Sequence, residues 1–207
     1  KKRLCENFGI DYFFQIKFNN ALRTLSPEDF IKLILKNIIN TDCIFAGENF
    51  RFGKNREGSL RDKDIFKKHN LNTKICKLHS NENDQIVSSE LIRKSILSLD
   101  FKFVKSCLGR NWAVTGDVLK GDKNGRKLGF ATANLQLLKT LEPKFGVYFT
   151  KTRIMKKDGS DFISEYMPSI TNFGIRPTLD GKKKLFETHI LNYENIFKNN
   201  EIYDRRI

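Results

Sequence analysis

The stretch "LSPEDFIKLILKNIINTDCIFAG", residues 25–47, contains the signals for a helix followed by a strand. Ser26 is a typical N-cap residue, Pro27 suits the first helical position, and Asp29 stands at the third position, as in a variant of the capping box. Apolar residues then recur at helical spacing: Phe30, Leu33, Ile34 and Ile38. The apolar run "DCIFAG", residues 42–47, is typical of a buried strand.

The same alternation extends to both sides of this stretch. On the N-terminal side, "DYFFQIKF" (11–18) predicts a buried strand. On the C-terminal side, a Gly-bearing loop precedes a helix near 61–69 and a strand near 73–78. "SSELIRKSILSLDF" (88–101) then predicts one further helix. Its apolar face would be formed by Ile92, Ile96 and Leu99. Strands that alternate with helices favour a parallel sheet covered by helices.

The pattern changes after Leu108. Four strand-like segments follow, separated by Gly, Asp and Lys turns: "WAVTGDVL", "FGVYFTKTRIM", "DFISEYMPSI" and "LFETHIL". No long helical pattern lies between them, which is typical of an antiparallel barrel or sandwich. The sequence therefore predicts α/β plus all-β architecture, with a domain boundary near residues 107–111 and domains of 1–108 and 109–207.

Composition limits the classes of function. The 207 residues carry a net charge of +14, which favours an anionic partner such as a nucleotide, a nucleic acid or an acidic membrane. The lysines are spread along the chain, however, so compositional drift explains the charge equally well. No apolar run approaches the ~20 residues of a membrane span. The four cysteines are far apart and no secretory signal is visible, which predicts a reducing cytoplasm and no Cys/His metal site.

The glycine-rich stretch "GDKNGRKLGFATAN", residues 121–134, is a candidate anion-binding loop. Gly121 permits close backbone approach, and Lys123 and Arg126 add positive charge. Thr132 and Asn134 are two apart and would point to the same side of an extended chain, where they could hold a Mg²⁺–phosphate group. The stretch is not a Walker A loop, and by itself it fits a charged hairpin turn better than a ligand site.

Two later stretches add to this candidate site. "SITNFGIRPT" (169–178) suggests a rigid turn close to a ligand. "FETHIL" places Glu187 and His189 on one face of a strand, with apolar and small residues on the other. A carboxylate there could deprotonate an alcohol for attack on a phosphate, although a solvated strand residue is the simpler interpretation of Glu187 alone. His189 fits a structural role better than a catalytic one.

Together, "GDKNGRKLGFATANL", "GVYF", "TNFGIRPT" and "FETHIL" resemble the kinase domain of bacterial bifunctional riboflavin kinase/FAD synthetases. The resemblance implies a six-stranded antiparallel barrel in which Thr132 and Asn134 hold Mg²⁺ and the ATP phosphates. Glu187 would be the base that activates the ribityl 5′-hydroxyl of riboflavin. Gly121, Lys123 and Arg126 would line the nucleotide loop. The chain has Ala131 where the family usually has Pro, which removes loop rigidity but no ligand atom.

The first half resembles the FMN adenylyltransferase module of the same family, a partial Rossmann-like nucleotidyltransferase. "FAGENFRFGKNREG" (45–58) matches its flavin-binding segment, and implies flavin contacts by Asn49, Phe50 and Phe52. Large flat rings suit an isoalloxazine, but one of the two phenylalanines could simply be buried. "VSSELIRKS" (87–95) matches its ATP-binding helix start, and implies ATP contacts by Ser88, Ser89 and Arg93.

Two departures from the family bear on activity. Glu90 replaces the usual Thr, and a carboxylate near phosphates is unfavourable for adenylyl transfer. The family's histidine-bearing first loop is absent from the sequence, and a closing C-terminal helix of the kinase is not seen. The resemblance therefore implies part of a flavin-synthesising transferase with ATP, riboflavin, FMN and FAD as its small-molecule partners. Nucleic-acid binding, and flavin binding without catalysis, stay open as alternatives.

Overall fold

The structure, a computed structural model, divides the chain into two compact units, Lys1–Ile86 and Val87–Ile207. The described residues are 2–119, 132–138, 140–156, 158, 161–178, 181–192, 202 and 205–207. No helix in this described part combines the length and the apolar character that crossing a membrane requires.

The first unit contains short helices and two small sheets. Its elements in chain order are α1 Lys2–Asn7, α2 Asn20–Thr24, α3 Pro27–Asp29, which continues as a π-helix over Phe30–Ile38, β1 Cys43–Gly47, β2 Arg51–Phe52, a 3₁₀ turn at Lys54–Arg56, β3 Gly58–Ser59, α4 Lys63–Lys68 and β4 Asn72–Cys76. β1 and β4 pair in parallel, and β2 and β3 pair antiparallel. The predicted parallel pairing is therefore confirmed.

The predicted helix start at Ser26 is also confirmed. The Ser26 hydroxyl accepts a hydrogen bond from the Asp29 backbone N–H at 3.1 Å, and Pro27 occupies the first turn. The helix then widens into a π-helix, in which Ile31 is fully buried. Ile31 packs in a core cluster whose other buried members are Phe52, Leu60, Phe66 and Leu71.

The predicted strand at 11–18 is wrong. Residues 12–19 form neither helix nor strand, and Tyr12, Phe14 and Phe18 are 58–79% exposed. A strand requires a neighbour that pairs with its N–H and C=O groups. Within the described residues β1 and β4 pair only with each other, so this apolar segment has β propensity but no ladder to join.

The second unit begins with two helices and continues as an antiparallel sheet. Its elements are α5 Ser89–Leu97, α6 Phe101–Leu108, β5 Gly116–Leu119, β6 Thr132–Leu137, β7 Gly146–Thr152, β8 Met167–Thr178 and β9 Gly181–Ile190. The single helix predicted over 88–101 is instead two helices. Leu99 adopts a positive φ of 68°, which ends the first helix, and the Asp100 side chain caps the second by accepting from the Phe103 N–H at 3.0 Å.

The five described strands form one antiparallel sheet in the order β5-β6-β9-β8-β7. Side chains alternate between its two faces. The inner face carries the core, which includes Leu135, Phe173 and Phe186. The outer face carries Thr132, Asn134, Asn172, Glu187 and His189.

The turn expected at 169–178 is wrong. These residues belong to β8, a strand of 12 residues that pairs with β7 on one side and β9 on the other. Two flanking strands hold the backbone extended in spite of Gly174 and Pro177. This pairing places Asn172 in the middle of the sheet, where the sequence suggested a bend.

The described strands do not close into a barrel through strand pairing. Residues 206 and 207 nevertheless contact the edge strand β5 and a residue that follows the other edge strand, β7. Ile207 exchanges backbone hydrogen bonds of 2.9 and 3.0 Å with Gly116 of β5. The carbonyl of Arg206 accepts from the N–H of Met155, which lies just beyond β7, at 2.8 Å. The six-stranded barrel implied by the resemblance is not confirmed.

Candidate active site

Thr132 and Asn134 of β6 lie on the outer face of the sheet, as their spacing predicted. The residues between and beyond them, Ala133 and Leu135, are buried at 4% and 9% exposure. Burial of this alternate set fixes the strand's orientation, because a slip of one residue would expose it. Thr132 and Asn134 are therefore held half-buried together on the other face of the strand.

Glu187 lies on the same surface, one strand away. It stands directly opposite Asn134 in the β6–β9 pair, and His189 stands opposite Thr132. The predicted alternation in "FETHIL" is confirmed, since Phe186, Thr188 and Ile190 are 2–5% exposed on the inner face. Directly opposed residues have Cβ atoms about 4.5–5.5 Å apart. The tertiary structure thus brings together the hydroxyl, the amide and the carboxylate that the sequence selected from two distant motifs.

The amide oxygen of Asn134 is buried without a hydrogen-bond partner in the described part of the chain. Such an atom normally costs free energy, because it has lost water and gained nothing. At the edge of a half-buried polar surface, an unsatisfied oxygen is instead typical of a ligand site. An amide oxygen and a threonine hydroxyl are also the hard oxygen donors that Mg²⁺ prefers.

Asn172 belongs to the same surface, and sequence reasoning missed its position. It lies opposite Glu187 in the β8–β9 pair, so the sheet places Asn134, Glu187 and Asn172 in one row across three strands. Asn172 is exposed. The motif that contains Asn172 was predicted to form a turn. The row could not be found from the sequence, because it depends on the register of three strands.

The remaining residues predicted for the kinase nucleotide loop lie outside the described residues. These are Gly121, Lys123 and Arg126.

In the first unit, the residues predicted to bind flavin separate into core and surface. Phe52 is 7% exposed and packs against Phe30 and Phe66 at ring distances of 5.6 and 5.7 Å. Phe50 is 41% exposed, and its ring stacks on that of Phe52 at 5.9 Å. Asn49 is exposed beside it. Phe52 therefore supports Phe50 from beneath, and Phe50 and Asn49 are the members of this set that a ligand could reach.

The residues predicted to bind ATP in the adenylyltransferase lie at the start of α5. The Ser88 hydroxyl caps the helix by accepting from the Leu91 N–H at 3.1 Å, and Ser89 and Arg93 are exposed. Glu90 pairs with Lys94 at 2.8 Å. The hydrogen bond from Lys94, together with its charge, lowers the pKa of Glu90, and Glu90 raises that of Lys94. The carboxylate expected to oppose phosphate binding thus has its own counter-charge.

Comparison with known proteins agrees with both units. Residues 108–207 match the riboflavin kinase family, and residues 1–90 match the FAD synthetase family. The chain is 34% identical over 213 residues to the bifunctional riboflavin kinase/FMN adenylyltransferase of Buchnera aphidicola subsp. Schizaphis graminum, an alignment that covers 100% of this chain and 64% of that protein. The chain belongs to the bifunctional riboflavin kinase/FMN adenylyltransferase family.

Other members of this family align over a similar extent. The Pseudomonas fluorescens enzyme is 33% identical over 96% of this chain and 60% of its own length. The Escherichia coli K12 enzyme is 28% identical over 92% of this chain and 59% of its own length. The chain therefore spans about three fifths of the curated relatives it matches.

A solved structure shares the fold. A structure described as that of a macrolide-efflux protein from Streptococcus pneumoniae superposes with a TM-score of 0.80 at 26% identity. The match covers 99% of this chain and 62% of that protein. The predicted family, with its kinase and adenylyltransferase parts, is confirmed by the sequence matches to both families.

Proposed function

We propose that the second unit transfers the γ-phosphoryl group of ATP to the 5′-hydroxyl of riboflavin, which yields FMN, ADP and a proton. The observation that carries this proposal is the outer-face row in which Glu187 lies opposite Asn134, with Thr132 on the same surface. Family membership supports the reaction class. The row supports these residues as its site.

The proposed chemistry uses Glu187 as general base. Its carboxylate would accept the proton of the substrate hydroxyl as the alkoxide oxygen bonds to the γ-phosphorus. The bond between that phosphorus and the β,γ-bridging oxygen would break, and ADP would leave. Because the transition state requires little covalent help, positioning of donor and acceptor would supply most of the rate. Thr132 and Asn134 would hold the donor phosphates beside the base.

Mg²⁺ is the metal proposed for this site. The unsatisfied amide oxygen of Asn134 and the hydroxyl of Thr132 fit a hard cation that retains water and phosphate ligands. When bound, Mg²⁺ would neutralise charge on the phosphates. Gly121, Lys123 and Arg126 are proposed to line the same nucleotide, on the strength of their sequence motif.

For the first unit we propose a part in the adenylylation of FMN by a second ATP, which yields FAD and pyrophosphate. Asn49 and Phe50 are proposed to contact the flavin, with Phe52 as the support beneath the Phe50 ring, and the exposed ring of Phe50 supports this. Ser88, Ser89 and Arg93 are proposed to bind ATP. The domains are proposed to comprise residues 1–108 and 109–207. Ser88, Ser89 and Arg93 lie in α5 and at its cap, and the structure assigns this helix to the second compact unit.

Two finer structural proposals accompany the function. The C-terminal residues 205–207 are proposed as a sixth strand of a kinase barrel, supported by their hydrogen bonds to Gly116 and Met155. Within the first unit a Rossmann-like order is proposed for the parallel sheet.

The proposed partners are flavins and ATP. The proposed location is the cytoplasm, which fits the four free cysteines.

The test is to incubate the purified chain with riboflavin and Mg-ATP and to separate the flavins by chromatography. FMN is the expected product, and Glu187→Gln should abolish it while ADP affinity changes less than about twofold. Full turnover by Glu187→Gln would show that Glu187 is not the base. A wild-type chain that neither forms FMN nor binds riboflavin would refute the kinase proposal.

A second candidate function is nucleic-acid binding, which the net charge of +14 favours. It predicts an affinity for nucleic acid that falls steeply with salt, without flavin binding. Binding of unaltered flavin without turnover would instead identify a flavin-binding protein that has lost catalysis.

A further inference from the structure

The outer face of β8 lies on the opposite side of Glu187 from the proposed phosphate-binding residues. Asn172 is the residue of β8 directly opposite Glu187, and it is exposed. Gly174, two residues further on, belongs to the same face. A Cβ atom at Gly174 would meet no atom closer than the Asn172 amide oxygen, at 3.9 Å. Among the described residues this part of the surface is therefore open, and the Asn172 amide borders it.

Phosphoryl transfer places the attacking and leaving oxygens roughly in line on opposite sides of the phosphorus. Thr132 and Asn134 belong to β6, Glu187 to β9, and Asn172 to β8, which are three adjacent strands. Neighbouring strands lie about 4.8 Å apart, so β6 and β8 are separated by ~10 Å with the base between them. If the donor phosphates occupy the β6 side, the alcohol that Glu187 deprotonates must approach from the β8 side.

We propose that Asn172 is a specificity-determining residue that binds the polyhydroxylated chain of the acceptor, over the opening at Gly174. This inference rests on the proposed kinase function. A side-chain amide both donates and accepts hydrogen bonds, and so does each hydroxyl of a ribityl chain. The amide would hold a hydroxyl neighbouring the reacting one, which fixes the reacting oxygen near Glu187. An alcohol without further hydroxyl groups would lose this contact.

The test compares two ligands and two forms of the protein. Riboflavin and lumiflavin share the isoalloxazine ring, but lumiflavin has a methyl group in place of the ribityl chain. The affinity of each is measured by flavin fluorescence with the whole chain in the presence of Mg-ADP. Asn172→Ala should weaken the binding of riboflavin about three- to tenfold, as expected for the loss of one hydrogen bond. It should leave the affinity for lumiflavin unchanged. The affinity for ADP should not change.

Gln136→Ala is the matched control, because Gln136 is an exposed amide on the same face of β6, two residues beyond Asn134. It should leave the affinities for both flavins unchanged. Gly174→Val is a second variant that does not depend on removing Asn172. The φ of Gly174 is not in the left-handed region, so valine is compatible with the strand. It should raise the KM for riboflavin several-fold without altering ADP affinity.

The assignment would be overturned if Asn172→Ala weakened the binding of riboflavin and lumiflavin equally, or if it weakened the binding of neither flavin. It would also be overturned if Gly174→Val left the KM for riboflavin unchanged. In those cases FMN formation by the wild-type chain and its loss in Glu187→Gln would leave the proposed function standing. A wild-type chain without FMN formation or flavin binding would refute the function and the inference together.

Discussion

Asn134 lies directly opposite Glu187 in the β6–β9 pair, and its amide oxygen is buried without a hydrogen-bond partner in the described part of the chain. The inner faces of both strands pack in the core, with Leu135 and Phe186 side by side. The core thus holds two polar residues together on the outer face at a cost in stability. Sites that bind ligands commonly retain such unsatisfied groups, because the ligand satisfies them.

Replacing Asn134 by leucine should stabilise the chain and weaken nucleotide binding. Leucine has a similar shape and removes a buried polar atom that lacks a partner, so the free energy of unfolding should rise by about 1 kcal/mol. Mg-ADP affinity should fall at least tenfold, because the proposed ligand oxygen is lost. Urea denaturation and calorimetric titration measure the two effects.

Gln136→Leu is the control for the Asn134 variant. Gln136 is exposed on the same strand and face, so neither quantity should change appreciably. A destabilised Asn134→Leu protein with normal ADP affinity would contradict the role proposed for Asn134.

Replacing Glu90 by threonine should strengthen ATP binding at the start of α5. An exposed glutamate is charged at neutral pH, and Lys94 lowers the pKa of Glu90 further, so this carboxylate repels phosphates. The gain should be largest at low ionic strength, since salt screens the interaction. ATP affinity, measured at low and high ionic strength, gives the outcome.

Lys94→Gln is the matched variant for Glu90, because it leaves the carboxylate without its counter-charge. It should weaken ATP binding where Glu90→Thr strengthens it. Equal ATP affinity in the wild type and both variants would mean that the nucleotide does not approach Glu90.

Replacing Gly58 by alanine should destabilise the first unit. The added Cβ would lie 2.8 Å from two ring atoms of Phe52, which is itself enclosed by the core. Overpacking of this kind costs about 1–3 kcal/mol. The double variant Gly58→Ala/Phe52→Leu should lose less free energy of unfolding than the sum of the losses in the two single variants. Strict additivity in urea denaturation would show that the two positions do not touch.

Tyr148→Phe should flatten the loss of stability at alkaline pH. Burial raises the pKa of the Tyr148 phenol above its ordinary value of 10.0. The unfolded chain therefore loses this proton first. The contribution of the protonated Tyr148 phenol to the free energy of unfolding is thus fully present below pH ~10 and is lost as pH rises through the folded-state pKa. Unfolding free energy measured between about pH 9 and 11 tests the slope.

Tyr166→Phe controls for the loss of a phenol, since Tyr166 is 60% exposed. It should keep the alkaline slope of the wild type. An unchanged slope in Tyr148→Phe would contradict the burial effect.

Much of the candidate site was predictable because its signals are local. The alternation in "FETHIL" and the two-residue spacing of Thr132 and Asn134 follow from the pleat of a strand, whatever its neighbours. The Ser26 cap depends on residues within one turn of the helix. The burial of Phe52 and the exposure of Phe50 could not be assigned, because two rings at strand spacing look alike until Gly58 and Phe66 pack against one of them.

The sequence by itself determined the family, the helix starts and which residues of each strand share a face. Only the tertiary structure decided that 11–18 remains unpaired, that 169–178 is part of a strand, and that Leu99 interrupts a helix. It alone placed Asn172 in one row with Glu187 and Asn134, with Glu187 between the two amides. The physical reason is range: periodicity and capping act over a few residues, whereas pairing and register join segments far apart in the chain.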